Sequence, residues 1–127
     1  MRAILLDTHA WAWTLMGDAR LSERARGGID QAGSVLVSPI SFFEIAQKVR
    51  SGKWPEMEAL IDRLPAFLDE QGGSVASLDP VVCTTAGSMA WQHRDPFDRL
   101  LAATAIRYNL PIISVDPVFD GVVTRVW

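Results

Sequence analysis

The stretch "AILLDTHAWAW", residues 3–13, decides how the chain is read. Its first four residues form a continuous apolar run of the kind a strand buried on both faces requires. Asp7 ends that run, and Thr-His-Ala-Trp-Ala-Trp then continues as an aromatic helix. A carboxylate at the edge of the core is costly unless something uses it, and the question is whether the pattern recurs.

It recurs. Residues 2–6 and 34–38 read as buried strands, 74–78 as a weaker third, "PIISV" at 111–115 as a fourth and "VVTRV" at 122–126 as a fifth. Helical stretches lie between them at about 8–15, 21–32, 40–51, 55–71, 80–92 and 97–109. Gly17, Gly33, Gly52, Pro55, Gly72-Gly73, Pro80, Pro96 and Pro111 fall at the boundaries. Strands alternating with helices predict an α/β protein with a mainly parallel sheet covered on both faces. No linker divides the chain, so residues 1–127 are expected to form a single domain.

Composition narrows the classes. Of the 127 residues, 49% are hydrophobic and 21% charged, which excludes a disordered chain. No apolar run approaches the roughly 20 residues a spanning helix needs. The N-terminus lacks the pattern of a cleaved signal, so a soluble, cytoplasmic protein without membrane attachment is expected. The single cysteine, Cys83, rules out an intrachain disulfide and a Cys-rich zinc site. His9 and His93 do not make a zinc triad. Twelve basic residues against fifteen acidic ones, a net charge of −3, weigh at first sight against a nucleic-acid partner.

In open α/β sheets, ligands bind beyond the carboxyl ends of the strands. Asp7 follows the first strand and Asp116 the fourth; Glu44 lies in the helix after the second; Asp98 opens the helix "PFDRLLAATAIRYN". Each acid has another reading as a helix or turn cap: Asp98 as partner of Asp95, Glu44 of Ser41, Asp7 and Asp116 at helix openings. Four acids on separate elements at one sheet edge, however, would repel one another unless a cation sat among them. The hard divalent ions Mg²⁺ and Mn²⁺ suit such oxygen donors, and their chemistry on phosphodiesters is well defined.

Four blocks in order, "LLDTHAWAW", "SPISFFEIAQKVRSGKW", "HRDPFDRLLAATA" and "PIISVDPVF", resemble the PIN-domain family, and within it the VapC-type ribonuclease toxins of toxin–antitoxin pairs. The resemblance covers nearly the whole chain and implies a three-layer α/β/α sandwich with about five strands. It implies a metal-dependent endoribonuclease whose Mg²⁺ or Mn²⁺ site comprises Asp7, Glu44, Asp98 and Asp116. It also implies a homodimer and a cognate antitoxin that lays a basic side chain into the acidic groove. Aligning on "DRLLAA" selects Asp98 as the site acid and leaves Asp95 as a cap that can touch metal through water. Ser114 stands where the family often has Thr, and Thr8 either caps its helix or orients a ligand.

With the four site acids set aside, twelve basic residues face eleven acidic ones. Lys48, Arg50, Lys53, Arg94 and Arg99 are then candidates for lining the approach of RNA phosphates, or are ordinary solvated side chains. Of Trp11 and Trp13, one is expected in the core and the other over a groove or partner surface; Trp54 in "GKWPE" is expected to be partly exposed. His9 is read as a helix-start residue, His93 as a loop residue near Asp95, and Cys83 as inert.

Two other functions fit parts of this pattern. In a catalytically silent binding module the acids would serve as caps and the aromatic residues would bind a protein. A phosphoaspartate domain is disfavoured, because His9 stands where a DxD phosphatase carries its second acid and no late lysine follows a strand.

Overall fold

The computed structural model describes residues 2–127. Five short strands, β1 (Ala3–Leu6), β2 (Ser34–Val37), β3 (Ser74–Val75), β4 (Ile112–Ile113) and β5 (Arg125–Val126), form one sheet in the order β3-β2-β1-β4-β5. Every pairing is parallel, with Leu5 opposite both Leu36 and Ile112. The helices are α1 (Thr8–Met16), α2 (Glu23–Gln31), α3 (Pro39–Arg50), α4 (Leu64–Glu70), α5 (Pro80–Ser88) and α6 (Pro96–Tyr108). Among the described residues, no helix is long and apolar enough to cross a membrane.

Strand geometry sorts β1 between two layers, because alternate side chains point to opposite faces. Ile4 and Leu6 join Val37, Ile113, Trp11, Ile45, Met57 and Leu68 in the larger core, beneath α1 to α4. Leu5 points the other way, to Ile112, Leu101, Ala102, Ala105 and Phe119 beneath α6. Outside that layer, α5 packs on α6 through Val82, Ala86 and Ala103. The expected three-layer α/β/α sandwich is therefore the observed architecture.

Local chemistry sets the boundaries. Helix α1 starts because Asp7 Oδ1 accepts the Ala10 N–H at 2.7 Å, and it stops at Gly17, whose φ of +60° suits glycine. Helix α6 starts on Asp95, with Pro96 in its first turn, and ends on Asn109 in the same left-handed conformation. The helix expected over 55–71 is instead a 3-10 segment, Pro55–Arg63, followed by α4. Pro65 explains the break: it has no N–H for the preceding turn and its ring would strike the carbonyl four residues back. The helix expected over 80–92 stops at Ser88, with Met89 extended.

The topology fixes the functional edge. From β1 the chain builds outward to β2 and β3, then returns to place β4 on the other side of β1. The sheet therefore switches direction between β1 and β4, and the crevice beyond their carboxyl ends is where a ligand is expected. Asp7 and Asp116 lie at those two ends.

Candidate active site

All four predicted acids border one open cavity of about 570 Å³ at this switch point, together with Asp95. Asp7 is held hardest. It is only 7% exposed, and its carboxylate is tied to α1 by the Ala10 N–H. Burial pushes its pKa up to about 6; the Ser114 hydroxyl and the Ala10 N–H draw it down, and the charges of Asp98 and Glu44 push it up further. A carboxylate kept in so unfavourable a place by a rigid strand and helix is a marker of function.

The other acids are anchored differently. Glu44 projects from α3, is 8% exposed, and accepts a hydrogen bond from Lys48 Nζ at 2.7 Å, one helical turn on. Asp98 lies in the first turn of α6, where its Oδ2 is 2.6 Å from His93 Nε2. An ionised carboxylate can only accept, so in that state the imidazole donates. Burial raises the Asp98 pKa and nearby Asp95 and Asp116 raise it further, while His93 lowers it. Asp116 is exposed; its Oδ1 accepts the Val118 N–H at 2.9 Å and its own N–H donates to Ser114 Oγ at 3.0 Å. Each acid thus serves as a cap or a pair partner while bordering the cavity, so the two readings of the sequence coexist.

The supporting residues divide. Asp95 caps α6 by accepting the Asp98 N–H at 3.1 Å and also borders the cavity. Ser114 is fully buried and holds the Asp116 backbone. Thr8 shares a buried hydrogen bond of 2.9 Å with Ser41 and so ties α1 to α3. Of the expected phosphate contacts, only Lys48 borders the cavity. Arg50 is exposed in the last turn of α3, away from it. Arg94 lines a separate hollow with Cys83.

Arg99 departs most clearly from expectation. Its Nε donates to the Ala86 carbonyl at 2.7 Å, Nη2 to Met89 at 2.7 Å, and Nη1 to Trp91 at 2.6 Å and His93 at 2.9 Å. The guanidinium clamps the loop that delivers His93 to Asp98, and it is spent on carbonyls rather than turned to the cavity. His93 itself is more than a loop neighbour of Asp95, since it orders a site acid. The spacing of the Arg-Asp pair in the sequence carries no sign of this loop closure.

The aromatic residues match their sequence reading at Trp11 and Trp13 and depart from it at Trp54. Trp11 lies in the core and Trp13 faces the groove, whereas Trp54 is only 8% exposed instead of partly exposed. Trp54 is covered by the His9 ring, stacked with centroids 4.7 Å apart, and by Lys48 at 5.6 Å. Trp13 forms a cavity wall, packed against Trp127 and beneath the Arg20 guanidinium at 4.9 Å. Burial, with the Lys48 charge next, lowers the His9 pKa. Arg20 and His9 border the cavity without having been singled out for it in the sequence.

The donor set is all oxygen and strongly anionic, which fits a hard divalent cation and not a soft one. Among the described residues, no three His, Cys, Asp or Glu side chains are close enough to make a ready coordination shell. The fit is thus to a cation that keeps several waters, as Mg²⁺ does, with carboxylates spaced around it.

Comparison with known proteins agrees with this architecture. The family model described as PIN domain matches residues 4–123. The chain is 30% identical over 122 residues to Ribonuclease VapC22 of Mycobacterium tuberculosis, covering 91% of this chain and 88% of that protein. Among solved structures, VapBC2 from Rickettsia felis bound to a promoter DNA fragment superposes with a TM-score of 0.67 at 14% identity, covering 97% of this chain and 96% of that one. A toxin–antitoxin complex from Klebsiella pneumoniae gives 0.66 at 15% identity, over 93% and 91%. At these identities the superpositions speak for the fold, while the family match spans the strand ends and helices that carry all four acids. The chain belongs to the PIN-domain family, and within it to the VapC type.

Proposed function

We propose that the protein is a metal-dependent endoribonuclease toxin that hydrolyses RNA phosphodiester bonds at the cavity formed by Asp7, Glu44, Asp98 and Asp116. The observation that carries this reading is the meeting of four acids from four separate elements at the topological switch point. Kinship to a ribonuclease of the same type supports the choice of RNA.

When bound, Mg²⁺ or Mn²⁺ supplies Lewis acidity toward the phosphodiester and the attacking water. The chain holds the carboxylates that would receive the ion, with Asp95 in reach through water. Ala10 N–H fixes Asp7, Lys48 fixes Glu44, His93 fixes Asp98, and the Val118 N–H fixes Asp116. Such anchoring keeps the oxygens in place when the cation leaves or the substrate arrives. The proton released by the attacking water would pass to a carboxylate of this cluster that the cation leaves free.

The reading extends to partners. A cytoplasmic nuclease of this kind needs an inhibitor, and a small cognate antitoxin presenting Arg to the carboxylates would neutralise the charge that the cation otherwise offsets. The solved relatives include toxin–antitoxin complexes. Phe43, 56% exposed and 6.0 Å from Phe97 between α3 and α6, offers an apolar contact for the antitoxin or for a second copy in a homodimer. Antitoxin and metal are expected to compete; equal Mn²⁺ affinity in free and complexed protein would refute that.

The test is cleavage of a mixed, structured RNA pool by antitoxin-free protein in Mg²⁺, Mn²⁺ or EDTA. Cleavage that needs the metal supports the proposal. Its absence under all three conditions, with no Mn²⁺ binding, would favour the silent binding module instead.

A further inference from the structure

A second hollow, of about 330 Å³, opens directly beside the acidic cavity and shares His9, Trp13, Arg20 and Lys48 with it. Its charges are far closer to balance. Arg20 is paired to Asp18 and Lys48 to Glu44, each at 2.7 Å, which leaves Lys53 facing Glu56. The acidic cavity has five carboxylates against two cations. Arg20 and Lys48 stand between the two, so the groove passes from strongly negative to nearly balanced in charge.

The hollow has aromatic walls as well as charge. The exposed His9 ring lies on buried Trp54, stacked at 4.7 Å with an interplanar angle of 28°, and meets Trp13 edge-on at 5.9 Å. Trp54 is thereby held rigid and His9 becomes the outer leaf of a fixed stack. Among the described residues, neither His9 ring nitrogen has a hydrogen-bond partner and the Lys53 amine has no ion pair. Arg20 uses Nε and Nη2 on Asp18, leaving Nη1 without a protein acceptor. Fold stability does not require these groups to be unspent at the mouth of an acidic cavity.

We propose that this hollow is a subsite for single-stranded RNA next to the scissile phosphate, with one base stacked on His9 and the flanking phosphates on Lys53 and Arg20. This rests on the ribonuclease reading and adds a direction to it: the strand leaves the acids over α1 and the turn after α3, not over α5 and α6. A ring stack ringed by cations takes an unstacked base and its phosphates together, which a paired helix cannot offer. Cation contacts along the path also offset the repulsion that the acids exert on the incoming backbone.

The test separates binding from cleavage. Anisotropy of a labelled, single-stranded, mixed-sequence RNA is measured in EDTA across a salt series, because these contacts need no metal. His9→Ala is expected to weaken binding by about 5- to 150-fold, the range of one lost base stack. Lys53→Ala is expected to reduce the slope of log affinity against log salt by about 0.7, one single-strand phosphate. Arg94→Ala, in its separate hollow, should change neither. No binding by the unaltered protein in EDTA, or His9→Ala and Lys53→Ala variants that keep both affinity and slope, would overturn the subsite. Metal-dependent cleavage of the RNA pool, run in parallel, tells which idea has failed: if it persists the nuclease reading stands without the subsite, and if it is absent the nuclease reading falls as well.

Discussion

The two flanks of the acidic cavity use arginine and lysine differently. On the α5–α6 flank, Arg99 gives its donors to four backbone carbonyls and its charge to holding a loop. On the α1–α3 flank, Arg20 and Lys48 are disposed along the cavity, with Lys53 just beyond in the adjoining hollow. The first flank spends its guanidinium on carbonyls; on the second, Lys48 and Arg20 each hold a carboxylate at the edge of the groove, and Lys53 forms no ion pair among the described residues. Counting basic residues near the acids would treat the two alike; hydrogen-bond partners tell them apart.

The largest effect should come at Asp98, the site acid on the α5–α6 flank. Asp98→Asn keeps the shape and the helix but removes a charge that His93 orients, and cleavage should fall about 10²- to 10⁴-fold with the thermal melt preserved. A variant as active as the parent would mean that the acids do not form the site.

Next comes the structural flank. Arg99→Ala strands four carbonyls and should cost about 3 kcal/mol in urea unfolding, given the strength of charge-assisted hydrogen bonds. Arg94→Ala should stay within about 0.5 kcal/mol. If Arg99→Ala instead left stability intact and weakened RNA binding, the contrast between the flanks would be broken.

Asp7 links the comparison to pH. Its folded pKa, about 6, lies above the unfolded value of 3.8, so the folded state holds the proton more tightly. The stability this contributes is full below about pH 4 and is lost as pH rises through about 6, roughly 3 kcal/mol at most by the usual conversion. Asp7→Asn, which can still cap α1, should remove that decline. The variant should therefore melt above the parent at neutral pH while losing activity, and the difference should vanish near pH 4. A lower melting temperature at neutral pH would show that the Asp7 charge stabilises the metal-free fold.

A smaller effect is expected at His93. His93→Ala should weaken Mn²⁺ binding by about 10- to 100-fold, the range for residues that orient a ligand, and His93→Gln should recover part of it through its amide N–H. Equal affinities for the parent and both variants would reduce the 2.6 Å contact to packing.

Much of this was legible from residue order. Apolar runs ending in acids gave the parallel sheet and the acidic edge, because both follow from burial patterns and strand polarity that act locally. Glu44 and Lys48 stand at i, i+4 spacing, yet the sequence alone reads Lys48 as a phosphate contact or a solvated side chain, and the structure pairs it with Glu44. What escaped was set by closure in space. Pro65 divides a stretch whose apolar spacing alone suggests one helix. Trp54 sits beside a proline in a polar turn, and only the packing of α1 against α3 brings His9 over it. Arg20 reaches the cavity from beyond a left-handed glycine that turns the chain back, and Arg99 meets its carbonyls only once the 86–93 segment has folded over α6. Periodicity does not encode such contacts.

The most direct measurement is titration calorimetry of Mn²⁺ into the antitoxin-free protein and into its folded Asp7→Asn, Glu44→Gln, Asp98→Asn and Asp116→Asn variants. If the four carboxylates act as one site, the parent binds and each single variant binds more weakly. A parent that takes up no Mn²⁺, or four variants that match its affinity, would contradict that claim.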